Sequence, residues 1–129
     1  MKILNLLILA TLLAISTACN KDEDDPCTDL GDTIVGSWSV TALGMDLGDV
    51  EFKSDGTLID PDEALIGGEV GGVILDEKSY EVHADSSFTC TAAKGSNSVE
   101  IEYDVTSFSC DEIKIFVPGF NISGTMSRN

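Results

Sequence analysis

Apolar and acidic residues alternate without interruption across residues 99–105, and this alternation limits the possible fold more than any other feature of the sequence. Glu100, Glu102 and Asp104 occupy every second position, and the residues between them are apolar. Successive side chains of a β-strand point to opposite faces, so the pattern predicts a strand with one apolar and one acidic face. No segment from residue 34 onward has an equally clear helical period.

The remainder of the chain divides into similar short segments separated by turn residues, of which Asp55-Gly56 is a strong hairpin signal. We predict eight strands, over residues 35–44, 48–54, 57–60, 69–76, 79–92, 98–108, 112–117 and 120–127. The fifth is long for a flat strand, so we expect it to bend near residues 85–87. An all-β, antiparallel, up-and-down meander that closes into a small barrel follows from this count. A flattened two-sheet β-sandwich is the alternative, because the chain is short for a roomy barrel.

The residues expected to face the barrel interior are apolar or aromatic. They are Val40, Phe52, Leu58, Ile74, Tyr80, Val82, Phe88, Ile101, Tyr103, Val105, Ile113 and Ile115. A small barrel either fills its interior with such side chains or leaves room for one apolar ligand. A cavity at one barrel end, lined by Tyr80, Phe88 and Tyr103, would indicate binding of a small hydrophobic ligand. A filled core would instead favour a non-catalytic surface interaction or structural module.

The first nineteen residues have the order of a secretion signal: basic Lys2, an apolar run over residues 3–15, then small residues. The run is shorter than the roughly 20 residues that cross a bilayer. Cys19 follows the small residues directly, which resembles the lipobox of bacterial lipoproteins, although Ser16 stands where that motif usually has Leu or Val. The resemblance implies a signal peptide over residues 1–18, cleavage before Cys19 and lipidation of that cysteine.

Residues 20–25 are polar and mostly acidic, which predicts a solvated tether. Lys21, Asp22 and Glu23 also resemble the surface-export signal of lipoproteins in some Gram-negative bacteria. The alternative is a plain spacer. We therefore expect a lipidated cysteine and acidic tether over residues 19–33 and a folded domain over residues 34–129. The expected location is the outer membrane, where the N-terminal lipid holds the protein; the export-signal interpretation implies exposure at the cell surface.

The charge balance excludes one class of partner. The chain has 23 acidic and 7 basic residues, a formal net charge of −16. Phosphate backbones and anionic lipid surfaces would repel such a protein, so we expect no nucleic-acid partner. The length suits one domain, which we expect to be a monomer.

Two segments resemble the lipocalin and calycin group. Gly36 and Trp38 match its Gly-x-Trp signature on the first strand, and residues 50–58 resemble a hairpin of lipocalin-like domains in bacterial lipoproteins. The group often places an arginine from the last strand against that tryptophan, which implies that Arg128 closes the barrel base over Trp38. The alternative is that Arg128, next to the C terminus, is disordered. The group's central Thr-Asp-Tyr-like motif is not evident, so we expect a reduced, lipocalin-like fold.

Three cysteines remain if Cys19 carries lipid, and two of them can pair in an oxidising envelope. In a closed meander the turn at residues 107–111 lies at the barrel end where the first strand begins, close to Cys27. Cys90 faces inward toward the opposite end, beyond the roughly 7 Å Cα limit for a bridge to Cys110. We predict a Cys27–Cys110 disulfide and a buried Cys90.

No motif predicts catalysis. The only histidine, His83, lies on the polar face of its strand, and no serine has a nucleophile-elbow setting. The acidic turn at residues 60–63 lacks the spaced ligands of a calcium loop, so a solvated turn is the favoured interpretation. We expect neither an enzyme, nor a cofactor, nor a metal site.

Overall fold

The computed structural model describes residues 27–129, which form one short helix and ten β-strands. The helix, α1, spans Leu30–Thr33. The strands are β1 Gly36–Ala42, β2 Met45–Phe52, β3 Leu58–Ile59, β4 Glu69–Val70, β5 Val73–Ile74, β6 Glu77–His83, β7 Ser87–Lys94, β8 Asn97–Phe108, β9 Glu112–Val117 and β10 Ile122–Arg128.

Eight of these strands form one antiparallel sheet in the order β3-β2-β1-β10-β9-β8-β7-β6. The last strand pairs with the first, from Trp38 opposite Arg128 to Ala42 opposite Gly124. On the other side, β3 and β6 meet through a single bridge between Thr57 and Ser79. The sheet is therefore an up-and-down meander that is nearly closed into a barrel, which confirms the predicted fold class.

The sheet has the predicted number of strands, although two segments differ from the prediction. The segment expected to bend is a hairpin, because Ala84 adopts a positive φ of 55° and reverses the chain between β6 and β7. The expected strand over residues 69–76 is instead the small separate hairpin of β4 and β5. Paired glycines at 71 and 72, both with positive φ, make its turn.

The two ends of the barrel differ. At the closed end lie α1 and the turns at residues 53–57, 84–86 and 109–111. At the open end lie the turns at residues 43–44, 95–96 and 118–121, together with the long connection over residues 60–76.

The barrel interior is apolar, as the alternation predicts. Its fully buried side chains include Trp38, Phe52, Phe88, Ile113 and Met126. The expectation for Ile74 is wrong: its side chain is 65% exposed, because it lies on the separate hairpin rather than in the sheet.

The folded part begins earlier than residue 34. Leu30 is fully buried, its N–H donates to the Asp85 carboxylate at 2.9 Å, and Asp29 caps α1 through a bond from Asp32 N. Residues 27–33, expected to belong to the tether, therefore form part of the domain and cover the closed end. The apolar Leu30 provides the reason, because burying it stabilises the fold.

The expectations for the signal peptide, for lipidation at Cys19 and for the export signal at Lys21, Asp22 and Glu23 concern residues outside those described. Within residues 27–129, no helix has the length and apolar character that a membrane crossing requires.

Candidate ligand-binding cavity

A cavity of about 200 Å³ lies inside the open end of the barrel. Its wall is formed by β1, β2, β8, β9, β10 and the connection over residues 60–76. The lining residues are Val40, Ala42, Leu47, Ala64, Leu65, Ile101, Tyr103, Ile115, Val117, Phe120, Ile122 and Gly124. Ile101 and Tyr103 point inward from the strand whose other face carries Glu100 and Glu102, so the period-two pattern of β8 directly produces the apolar wall.

A buried aspartate organises the connection that forms one wall. The Asp60 side chain accepts hydrogen bonds from the N–H groups of Ala64 at 2.7 Å, Leu65 at 2.8 Å and Ile66 at 2.9 Å. These bonds satisfy backbone donors that the open end would otherwise bury without partners. Lys78 adds a bond from Nζ to the Asp60 carbonyl at 2.6 Å. The acidic turn was expected to be solvated, whereas Asp60 is only 3% exposed.

Tyr103 is the one titratable side chain among the cavity-lining residues. Its hydroxyl donates to the Leu65 carbonyl and so joins β8 to the connection. Burial raises the pKa of Tyr103 far above its usual value, with smaller contributions from Cys90 and Asp60. The phenol therefore stays neutral, and its polar atom is already satisfied.

Of the three side chains predicted to line a cavity, only Tyr103 does so. Tyr80 and Phe88 pack against Phe52 instead, with ring centroids 4.9 and 5.7 Å from it and the rings nearly perpendicular. Phe88 also stacks on Tyr103 at 5.2 Å. These aromatic rings fill the barrel beside the cavity, and edge-to-face contacts of this kind stabilise a core.

The arginine and tryptophan singled out by the family resemblance lie together at the closed end. The Arg128 guanidinium lies over the Trp38 ring, with Cζ 4.0 Å from its centroid. It donates to the carbonyls of Cys110, Val35 and Thr33 at 2.8–3.1 Å, so each of its three nitrogens has a backbone partner.

Gly36 makes room for this arginine. A Cβ there would lie 2.5 Å from Arg128 Nη1, and the residue has a φ of 130°, which side chains disfavour. Trp38 donates from Nε1 to the Ile34 carbonyl at 2.8 Å, so the indole is also anchored. Together, Gly36, Trp38 and Arg128 close this end of the barrel.

The predicted disulfide is confirmed. Cys27 and Cys110 are bonded across 83 positions of sequence, with Cα atoms 5.2 Å apart. Cys90 is a buried free thiol, and burial raises its pKa far above the usual value. A thiol held neutral in this way is unreactive. Among the described residues, no group of three or more His, Cys, Asp or Glu side chains is placed to hold a metal ion.

Exposed apolar side chains lie at two neighbouring turns of the open end. Leu43 and Met45, at the turn between β1 and β2, are 71% and 56% exposed, and Phe120, at the turn between β9 and β10, is 69% exposed. Phe120 also lines the cavity. Sequence reasoning missed these residues, since turn positions have no alternation to assign them to a face.

The sequence and structure were compared with protein-family models, curated proteins and solved structures, and none of them matches this chain.

Proposed function

We propose that this protein is a non-catalytic, lipocalin-like binding protein that holds one small hydrophobic ligand at the open end of its barrel. The observation that supports the proposal is the cavity: a space of about 200 Å³ whose lining is apolar apart from one tyrosine hydroxyl that already has a partner. When an apolar ligand displaces water from apolar surface of this kind, the free energy of the system falls. A lining without a free acid, base or nucleophile supports binding rather than catalysis.

The volume limits the size of the ligand. An apolar cavity of roughly 150 Å³ in another protein holds benzene. A space of about 200 Å³ therefore suits one ring or a short alkyl chain. The transfer free energy of the chain overstates its affinity, because association has its own cost. At roughly 0.5 kcal/mol per non-hydrogen atom, within the range that small ligands reach, we expect octanol to bind with a dissociation constant on the order of 0.1–1 mM.

Filling the cavity should abolish this binding. Ala64 lines the cavity, so Ala64→Phe places a ring in the space a ligand would occupy. The matched control is Ala93→Phe, since Ala93 lies between inward-facing Ala92 and the end of β7 and does not line the cavity. Octanol titrated into each protein, followed by amide chemical shifts of residues 99–103 and 120–124, measures the affinity.

We expect the wild type and Ala93→Phe to bind octanol similarly and Ala64→Phe to bind it at least about tenfold more weakly. Equal binding by both variants would contradict the cavity as the binding site. Absence of saturable binding to the wild type would contradict the proposed function.

The proposal includes a location. Residues 1–19 resemble a bacterial lipoprotein signal, which supports attachment through lipid on Cys19 to the outer membrane. Multiple acyl chains hold a protein firmly at a bilayer. The contact of Arg128 with Trp38 supports the lipocalin-like part of the proposal, since the resemblance carried by Gly36, Trp38 and the hairpin at residues 50–58 implies that contact.

An interaction module remains the second candidate, supported by the exposed apolar side chains Leu43, Met45 and Phe120 at one barrel end. Exposed apolar groups gathered at one place often mark a binding surface. The octanol titration distinguishes a ligand-binding protein from an interaction module, because only the ligand-binding protein is expected to bind octanol inside the barrel.

A further inference from the structure

Resting on the proposed cavity function, we infer that the ligand is an amphiphile with a cationic head group, and that the open end discriminates against the corresponding carboxylate. The inference names the chemical class of ligand for the same cavity. It follows from where the charged side chains of the described residues lie relative to the cavity mouth.

No positively charged side chain lines the cavity. Arg128 is bound at the closed end, and Lys53 follows β2 at that same end. Lys78 donates to the Asp60 carbonyl at 2.6 Å, and Lys94 pairs with Asp76 at 3.4 Å. Lys114 is exposed on the outer face of β9, between inward-facing Ile113 and Ile115. A carboxylate head group at the mouth would therefore meet no described cation placed to bind it.

One acidic side chain lies beside the mouth. Asp46 is not that side chain, because it lies on the outer face of the sheet, in the same cross-strand row as Lys114. Asp62 packs on Gly48 from the connection: a Cβ on Gly48 would lie 2.6 Å from the Asp62 Cβ. Ala64, two residues after Asp62, lines the cavity. The Asp62 side chain is exposed, so a head group at the surface can reach it.

An alkyl chain buried in the cavity leaves its head group at the mouth, because burying a charge in an apolar space costs far more than leaving it in water. At that position the Asp62 carboxylate attracts an ammonium group and repels a carboxylate. Exposed charge pairs have modest effects that salt screens. We expect about a fivefold difference in affinity between the two head groups at low ionic strength.

Three probes of equal chain length test the inference: octylammonium, octanol and octanoate, titrated into the full folded protein at pH 7 and low salt. We expect octylammonium to bind most tightly, octanol less tightly and octanoate least tightly. Added salt should reduce the differences in affinity among the three probes. Ala64→Phe, measured in parallel, identifies binding outside the cavity, which is subtracted.

A pair of single variants tests the role of Asp62. Asp62→Asn should reduce the ratio of octylammonium to octanoate affinity to about twofold or less. Asp46→Asn is the matched control, since it removes the same charge from the outer face of β2. This control should leave most of the ratio in place.

The outcomes distinguish the inference from the proposed function. Octanol binding combined with octanoate affinity equal to or above that of octylammonium would overturn the inference and leave the function standing. Equal loss of preference in both variants would overturn the assignment to Asp62. Failure of all three probes to bind in the cavity would overturn the function and the inference with it.

Discussion

Asp60 shows at the scale of a residue how one side chain can shape the cavity. It is buried, yet its carboxylate has three backbone N–H partners between Ala64 and Ile66. A buried carboxylate is tolerated when hydrogen bonds replace its lost hydration. The bonds curl the chain so that Ala64 and Leu65 face the cavity while Ile66 enters the core.

Asp60→Asn should destabilise the protein by about 2–3 kcal/mol, because an amide NH₂ replaces one acceptor oxygen and leaves buried N–H donors without a partner. Urea denaturation measures the free energy of unfolding. Asp62→Asn is the control; its side chain is exposed and should change stability by less than about 0.5 kcal/mol. Equal stability of the two variants would show that Asp60 does not organise the connection.

The closed end shows at the scale of elements how separate segments are joined. The segment before β1 packs over the barrel base, the disulfide joins it to the turn between β8 and β9, and Arg128 from β10 donates to carbonyls in both places. The disulfide therefore joins two segments that are distant in sequence, and the guanidinium links both of them to β10. The short α1, only four residues long, owes its place to these contacts, since an isolated helix of that length is unstable.

Replacing both Cys27 and Cys110 by serine should lower the free energy of unfolding by about 4 kcal/mol. The bond closes a loop of 83 positions, and its loss frees the unfolded chain. Chemical denaturation of the oxidised wild type and of the variant gives the difference. Wild-type protein unfolded under reducing conditions should match the variant, and a variant as stable as the oxidised wild type would contradict this account.

At the scale of the whole molecule, the N-terminal end of the described chain and the cavity lie at opposite ends of the barrel. Cys27 lies at the closed end, whereas the cavity and the exposed Leu43 and Phe120 lie at the open end. A tether that leaves the domain at Cys27 therefore starts at the end opposite the cavity. If lipid on Cys19 holds the chain, the eight Cα-to-Cα steps from Cys19 to Cys27 span at most about 29 Å, and the attachment point is the closed end.

Labelling with radioactive palmitate, in a bacterium that expresses the protein, tests that attachment. Cys19→Ala should abolish incorporation and release the protein from the membrane fraction, because the acylated residue is gone. Cys90→Ala is the matched control and should remain labelled, since Cys90 is buried inside the barrel. Undiminished labelling of Cys19→Ala would refute the anchor.

Much of the fold could be predicted because β-strand patterns are local. Alternation along residues 99–105 assigns inward Ile101 and Tyr103, and closure of the meander brings Cys27 to Cys110. The candidate site was predicted less well: Tyr80 and Phe88 have the correct face but pack on Phe52. A period of two identifies the face of a strand. That period does not indicate which part of the barrel interior, along its axis, is left unfilled as a cavity.

The sequence by itself determined the all-β class, the polarity of the strand faces, the pairing of the cysteines and the resemblance of the first nineteen residues to a lipoprotein signal. Each depends on neighbouring residues or on strand direction. Only the tertiary structure decided that residues 60–76 would lie across one end, that Asp60 would be buried there and that a cavity would remain beside Tyr103. These features depend on how distant side chains fill a shared volume, which no local pattern records.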